Sequence, residues 1–149
     1  MRGNLPALLR APGRTVLRTG QLALILGVHA AIHRFGLAAV RGLLEKFHPL
    51  APALTTEREA EIVRGLALHW RWVRQRAPSR FRGNCLSQSV TLWWLLRLRG
   101  IDTKLCIGID RRSEQFSAHA WVEHRGLALN AGAAVRDNFA TFGHDFAKG

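Results

Sequence analysis

The fold is organised by the stretch Gly83-Asn84-Cys85-Leu86-Ser87-Gln88-Ser89 and by the apolar run that continues it to Leu98. Asn84 is a favourable N-cap residue, because its side chain can accept a hydrogen bond from a free amide of the first helical turn. Apolar residues then recur with helical spacing, arginines occupy the last turn, and Gly100 is a C-terminal stop signal. The pattern predicts a buried helix that carries Cys85 in its first turn.

Cys85 would then lie where the helix dipole and the unpaired amides of the first turn stabilise a negative charge. The thiolate, not the thiol, is the nucleophile, so this position favours reactivity. The alternative interpretation is that Cys85 is a small buried residue with a packing role only, which is the usual place of a free cysteine.

The composition indicates a globular protein. The chain has 149 residues, of which 48% are hydrophobic, and this is sufficient for a proper core. We expect a single domain over residues 1–149, with an N-terminal helical part at 1–50 and a catalytic core at 84–131. The two cysteines, Cys85 and Cys106, form no disulfide framework and no zinc-binding pattern, which is typical of a reducing cytoplasm.

The chain is strongly basic, with a formal net charge of +12. Such an excess favours a polyanion, an acidic membrane surface or an acidic peptide as partner. No zinc finger, RNA-recognition or helix-turn-helix motif accompanies the arginines, and the tryptophans lie in apolar runs that are typical of a core. We therefore expect no nucleic-acid partner. A solvated basic surface and an acidic peptide partner are the two main interpretations, and a non-catalytic basic module that binds peptide or RNA is a further alternative.

Helices are predicted ahead of the cysteine, after a loose start at residues 1–13 that contains glycine and proline. They are expected at 14–34, 37–47 and 55–76. His29 and His33 have a spacing that can bind metal on a helix, but no third ligand accompanies them, so no metal site is predicted.

The N-terminal apolar run at residues 22–32 is shorter than a membrane span. It is not followed by a cleavage site for a signal peptide, so no cleavable signal is expected. The helix around it is flanked by arginines, which allows peripheral association with a membrane or a partner.

The period changes from helical to alternating after Gly100. Strands are expected at 103–109, 116–124 and 127–130, the last two joined by a tight turn at Arg125-Gly126. The tail beyond is expected to pack through its apolar residues and to fray after Gly143. The sequence therefore predicts an α+β domain, in which N-terminal helices precede a helix packed on a small antiparallel sheet.

His119 is the best candidate for a base that serves Cys85, because a thiolate nucleophile needs a base within hydrogen-bond reach. A two-residue turn would place Trp121 opposite Asn130, so Asn130 becomes the diagonal neighbour of His119 on one face. Its amide oxygen can accept the second imidazole N–H. Glu123 shares this face but is expected to pair with an arginine, and Asp137 is a reserve candidate for the third position.

The blocks Asn-Cys-Leu-Ser-Gln-Ser-Val-Thr-Leu-Trp-Trp-Leu-Leu-Arg-Leu-Arg-Gly-Ile at 84–101 and Ala-His-Ala-Trp-Val-Glu at 118–123 resemble transglutaminase-like, papain-type domains. Within that superfamily they resemble the leader-peptidase (B2) proteins of lasso-peptide biosynthesis. The resemblance implies a bacterial cytoplasmic cysteine protease with Cys85 as nucleophile and His119 as base. The family usually has an aspartate about where Ala131 stands, so the third member is open between Asn130 and Asp137.

The same resemblance implies a reaction and its partners. The protease removes the leader from a ribosomally made precursor peptide, and a small leader-recognition (B1) protein binds the leader and presents it. An asparagine-synthetase-like cyclase then joins the freed α-amine to a side-chain carboxylate. No cofactor is implied. The alternative from another class is an acyl transfer on the same residues, such as transglutamination.

Overall fold

The computed structural model describes residues 11–47, 54–76, 83–110, 117–132 and 134–141. The helices are α1 (Ala11–Phe35), α2 (Leu37–Lys46), α3 (Thr56–Arg76), α4 (Cys85–Arg97) and the short α5 (Val135–Asn138). The strands are β1 (Lys104–Asp110), β2 (Ala118–His124), β3 (Leu127–Ala128) and β4 (Phe139–Thr141). They form one four-stranded sheet in the order β3-β2-β1-β4. The prediction of an α+β domain with helices first is confirmed.

Helix α4 begins and ends as the sequence predicts. The side chain of Asn84 accepts a hydrogen bond from the Ser87 amide at 2.8 Å, which fixes the first turn. Gly83, just before the cap, has a φ of 64°, and a Cβ there would lie 2.5 Å from Ser87 Oγ, so only glycine fits this entry. Gly100 closes the other end in a left-handed conformation with a φ of 73°.

The core lies between the helices and one face of the sheet. Helix α4 is at its centre, because it contacts α1, α2, α3, β1 and β2. The buried apolar residues of the core are Ile25, Leu66, Trp70, Val73, Leu92, Trp93, Leu96, Ile101 and Val122. The tryptophans at 70, 93 and 121 are buried, as expected of core residues.

The start of α1 differs from the expectation of a loose segment at residues 1–13. The helix begins at Ala11, so Pro12 and Gly13 lie within its first turn. Proline is compatible with that turn, because the amides there have no acceptor within the helix. Residues 1–10 lie outside the described part. No helix among the described residues has the length and the apolar character that a bilayer crossing requires.

The sheet confirms the register that was expected for the hairpin at Arg125-Gly126. Glu123 lies opposite Ala128 and His124 opposite Leu127. Strand β3 is shorter than expected, because regular pairing stops at Ala128. The predicted fraying after Gly143 and the loop at 111–116 lie outside the described residues.

Strand β4 was not predicted, and it pairs with the far side of β1. Ala140 lies opposite Ile109, and Thr141 lies opposite Gly108. The short helix α5 leads into it, and its first residue, Val135, is buried, as expected for an apolar tail that packs down. The tail therefore forms an edge strand beside β1, the strand whose Gly108 lies opposite His119.

Candidate active site

The structure brings Cys85 and His119 together. The cysteine is the first residue of α4, and its side chain is hydrogen-bonded to the side chain of His119 on β2. The backbone amides of Ala120 and Leu86 also bond the sulfur. The hydrogen bond to His119 is the main cause that lowers the pKa of the Cys85 thiol below its ordinary value, and partial burial opposes it. The arrangement stabilises a thiolate.

The edge of β2 explains why the sulfur lies there. Strand β3 covers only the turn end of β2, so the remaining backbone groups on that edge need other partners. Ser89 Oγ donates to the Ala120 carbonyl at 2.9 Å, and Asn130 Oδ1 accepts from the Val122 amide at 2.8 Å. The Ala120 amide bonds the sulfur of Cys85. The side chains of Cys85 and Ser89 on α4, together with Asn130, thus bond the backbone groups of β2 that β3 leaves unpaired.

Asn130 therefore has a defined position beside the pair. Besides accepting from Val122, it donates from Nδ2 to Ser89 Oγ at 2.8 Å. These two bonds tie the end of the β3 segment to both β2 and α4. Its role as the group that orients the His119 imidazole stays a prediction. Asp137, the reserve candidate, is an exposed residue of the short helix α5, and its role also stays a prediction.

Two aromatic rings, those of Trp121 and Phe139, pack beside the His119 imidazole. The ring of Trp121 is stacked on it with centroids 6.2 Å apart, and the ring of Phe139 lies 5.4 Å away. Gly108 lies directly opposite His119 in the ladder. A Cβ at Gly108 would come within 2.9 Å of the Ala140 carbonyl and 3.1 Å of Trp121 Cη2, so the close approach of these strands requires glycine.

Glu123 fixes the indole that packs on His119. Its carboxylate accepts from Trp121 Nε1 at 2.9 Å and from Arg136 Nε at 2.8 Å, and the residue is only 7% exposed. The Arg136 guanidinium is the main cause that holds the pKa of Glu123 below its usual value, although burial opposes it. The expectation that Glu123 pairs with an arginine is confirmed.

The second thiol has the opposite electrostatics. Cys106 lies opposite Trp121 in the ladder, and burial together with the Glu123 carboxylate raises its pKa to about 11. Cys85 and Cys106 are both half-buried and both free. The structure therefore distinguishes one thiol that favours the anion from one that disfavours it.

Sequence reasoning missed two parts of this site. Ser89 lies one helical turn after Cys85, and this spacing was a usable signal for a residue on the same face. Arg136 and Phe139 come from the tail, and nothing in the local pattern indicates which strand the tail joins. His29 and His33 have ring centroids 4.7 Å apart, and no group of three metal-ligating side chains occurs among the described residues.

The fold and the Cys–His pair define a class of protein. A family model described as the transglutaminase-like superfamily matches residues 22–143, which is most of the chain. The chain belongs to this superfamily, and the resemblance seen in the sequence is confirmed. No solved structure matches it.

One curated protein is similar over part of the chain. It is the microcin J25-processing protein McjB of Escherichia coli, which is 37% identical over 60 residues. The aligned stretch covers 40% of this chain and 28% of the relative. The chain thus matches less than a third of the length of that protein.

Proposed function

We propose that this chain is a cysteine peptidase that removes the leader from a ribosomally made lasso-precursor peptide before the macrolactam is closed. The observation that carries the proposal is the hydrogen bond between Cys85, at the first position of a buried helix, and His119 on the adjacent strand. Membership of the transglutaminase-like superfamily and the similarity to a microcin-processing protein support this choice of reaction and substrate.

In the proposed reaction the thiolate of Cys85 attacks the carbonyl carbon of the last leader residue. The carbonyl oxygen becomes an oxyanion, which the backbone amide of Cys85, at the N-terminus of α4, is placed to stabilise. A donor of this kind contributes about 3–4 kcal/mol to transition-state stabilisation. His119 protonates the leaving amine, and the amide bond breaks to give a thioester.

Water then completes the proposed cycle. His119 takes a proton from a water molecule, whose oxygen attacks the thioester carbonyl. The bond to sulfur breaks, the leader leaves with a new carboxylate, and Cys85 returns as the thiolate. Asn130 is proposed to hold the imidazole in its reactive orientation, with Asp137 as the reserve. The chemistry requires no cofactor.

The proposed partners follow from the same resemblance to the leader peptidases of lasso-peptide biosynthesis. A leader-recognition protein would present the precursor, and an asparagine-synthetase-like cyclase would use the α-amine that the cut frees. The two free cysteines suit the reducing bacterial cytoplasm, which is the proposed place of the reaction.

The test is to incubate the protein with the precursor peptide encoded beside it and to weigh the products. We expect a leader with a free carboxylate and a core peptide with a free amine, formed faster when the leader-recognition protein is added. Cys85→Ala should abolish cleavage without changing the circular dichroism spectrum. Cys106→Ala is the matched control, since it removes the other thiol and should leave cleavage intact.

The same measurement identifies the main alternative. Acyl transfer would join the leader carbonyl to an added amine and leave a new amide, which has a different mass from the hydrolysis product. Full cleavage by Cys85→Ala would refute both reactions, since neither proceeds without the nucleophile.

A further inference from the structure

A groove lies on the side of the molecule between helix α3 and the segment that follows β3. It has a volume of about 440 Å³ and is lined by Arg64, Ala67, Leu68, Trp70, Arg71, Gln75 and residues 129–132. The α3 members recur at helical spacing, so one face of the helix forms the wall. Asn130 belongs to the opposite wall and bonds Ser89, one turn from Cys85.

The surface of this groove is apolar inside and basic at its rim. Trp70, which lines the groove, is 2% exposed, whereas Leu68 is 61% exposed although it is a large apolar side chain. Arg64 and Arg71 flank Leu68 and are exposed. An exposed leucine between two cations on one helix face matches a ligand that has both apolar and anionic groups.

The charges of α3 are segregated along its length. Its acidic residues are Glu57, Glu59 and Glu61, all in the first two turns and before the groove. Glu59 is paired with the β2–β3 hairpin and Glu61 with Arg58. None of the described residues that line the groove is acidic. Among the described residues no ion-pair partner balances either groove arginine, so the rim presents uncompensated positive charge.

We propose that this groove binds an acidic peptide segment of the substrate, with carboxylates on Arg64 and Arg71 and an apolar side chain against Leu68. This inference rests on the proposed function, because it assigns the part of the precursor that this chain itself binds. Two arginines seven positions apart on a helix are separated by about 10 Å. An extended peptide in the polyproline II conformation brings side chains at i and i+3 to one face about 9 Å apart, so two acids at that spacing fit.

The test measures binding without turnover, using the Cys85→Ala protein. The probe is a short fluorescein-labelled peptide with Glu-Leu-Ala-Glu at its centre, followed by anisotropy. Its controls are the peptide with glutamine in place of glutamate and the peptide with serine in place of leucine. We expect the acidic apolar peptide to bind most tightly and its affinity to fall as salt is added, because exposed charges are screened.

Charge reversals then locate the site. Arg64→Glu and Arg71→Glu should each weaken binding about fivefold or more, as expected when an exposed ion pair is replaced by repulsion. Arg58→Glu is the matched control on the same helix, because it makes the same change in net charge outside the groove. It should change the affinity by less than about twofold at physiological ionic strength.

Several results would overturn the proposal. These are an absence of binding, equal binding of the glutamate and glutamine peptides, or an equal loss with Arg58→Glu, which would indicate only the general attraction of a basic protein. Displacement of the peptide by a single-stranded oligonucleotide that needs the same arginines would also overturn it, since the site would then accept any polyanion. If the wild-type protein fails to cleave the precursor but still binds the peptide in the groove, the proposed peptidase activity is refuted and the proposed peptide-binding site is retained.

Discussion

The two thiols of this chain should react with iodoacetamide at very different rates, with Cys85 reacting first. The pKa of Cys85 lies below its ordinary value of 9.0, whereas that of Cys106 is about 11. Both side chains are half-buried, so differences in access contribute little to the comparison. Because only the thiolate reacts, the ratio of the two rates reports the electrostatics of the two positions.

The size of the effect follows from the two pKa values. At pH 7 a thiol with a pKa of about 11 is about 0.01% thiolate, and one at 9.0, the upper bound for Cys85, is about 1%. The thiolate with the higher pKa is intrinsically more nucleophilic, by about tenfold over two pKa units. Cys85 should therefore be alkylated at least about tenfold faster than Cys106, and the ratio grows as its pKa falls.

The assay is a pH series of alkylation rates, read by intact mass and by peptide mapping. His119→Ala removes the hydrogen bond and the charge that lower the pKa of Cys85 but leaves its burial, which raises the pKa. The inflection of the Cys85 rate should therefore move to higher pH. His124→Ala, on the same strand but bonded to Asp102 and Glu59, is the control and should leave it in place.

Comparable labelling of Cys85 and Cys106 in the folded wild-type protein would refute this reasoning. So would an unchanged Cys85 inflection in His119→Ala, provided that circular dichroism shows the variant to be folded. Either result would mean that the Cys85–His119 hydrogen bond does not control the thiol in solution.

Further predictions concern the groups around the pair. Glu123→Gln should lower the free energy of unfolding at neutral pH by about 1–3 kcal/mol, because charged hydrogen bonds to Arg136 and Trp121 are lost. Since the pKa of Glu123 is depressed below 4.5, this contribution is present above that pH and is lost as the pH falls through the lower folded value. Urea unfolding at several pH values should show the two proteins converging in acid, and a constant difference would contradict the assignment. Gly108→Ala should cost about 1–3 kcal/mol through overpacking against β4 and Trp121, with Gly126→Ala, whose added methyl meets no neighbour, as a contrast that carries only backbone strain. Asn130→Ala should cost about 1–3 kcal/mol, because the Val122 amide loses its acceptor. If the carboxamide also orients the imidazole, Asn130→Ala should slow precursor cleavage more than Ser89→Ala at matched stability, and equal rates would refute that role.

The helices and the position of Cys85 could be predicted from the sequence because their signals are local. Asn84 as cap, Gly100 as stop and the apolar spacing between them are sufficient to place α4 and Cys85. The hairpin register also followed from local chemistry, since the two-residue turn at Arg125-Gly126 fixes which residues face each other.

Part of the surroundings of His119 could not be predicted, because Phe139 and Arg136 come from the tail. Phe139 and Arg136 reach the site only because β4 pairs with β1, and a three-residue strand has too few residues for a clear alternating pattern. The same limit applies to Asn130. Its bond to the Val122 amide depends on where β3 stops pairing, which is a property of the whole sheet edge.

The geometry of the sheet edge bears on the third position of the proposed site, for which Asn130 and Asp137 are the candidates. Here the distance between sulfur and imidazole is set by the backbone of β2, because Cys85 and Ser89 bond Ala120 while His119 is the preceding residue. The plane of the imidazole is set by packing against Trp121. A third residue that only orients the ring would then add to restraints that the strand and the indole already supply. We therefore expect the rate of precursor cleavage to depend more steeply on Trp121 than on any single candidate for the third position. The variant Trp121→Phe keeps an aromatic ring beside His119 but loses the hydrogen bond to Glu123. It therefore distinguishes the effect of ring packing on His119 from the effect of the bond that holds the indole in place.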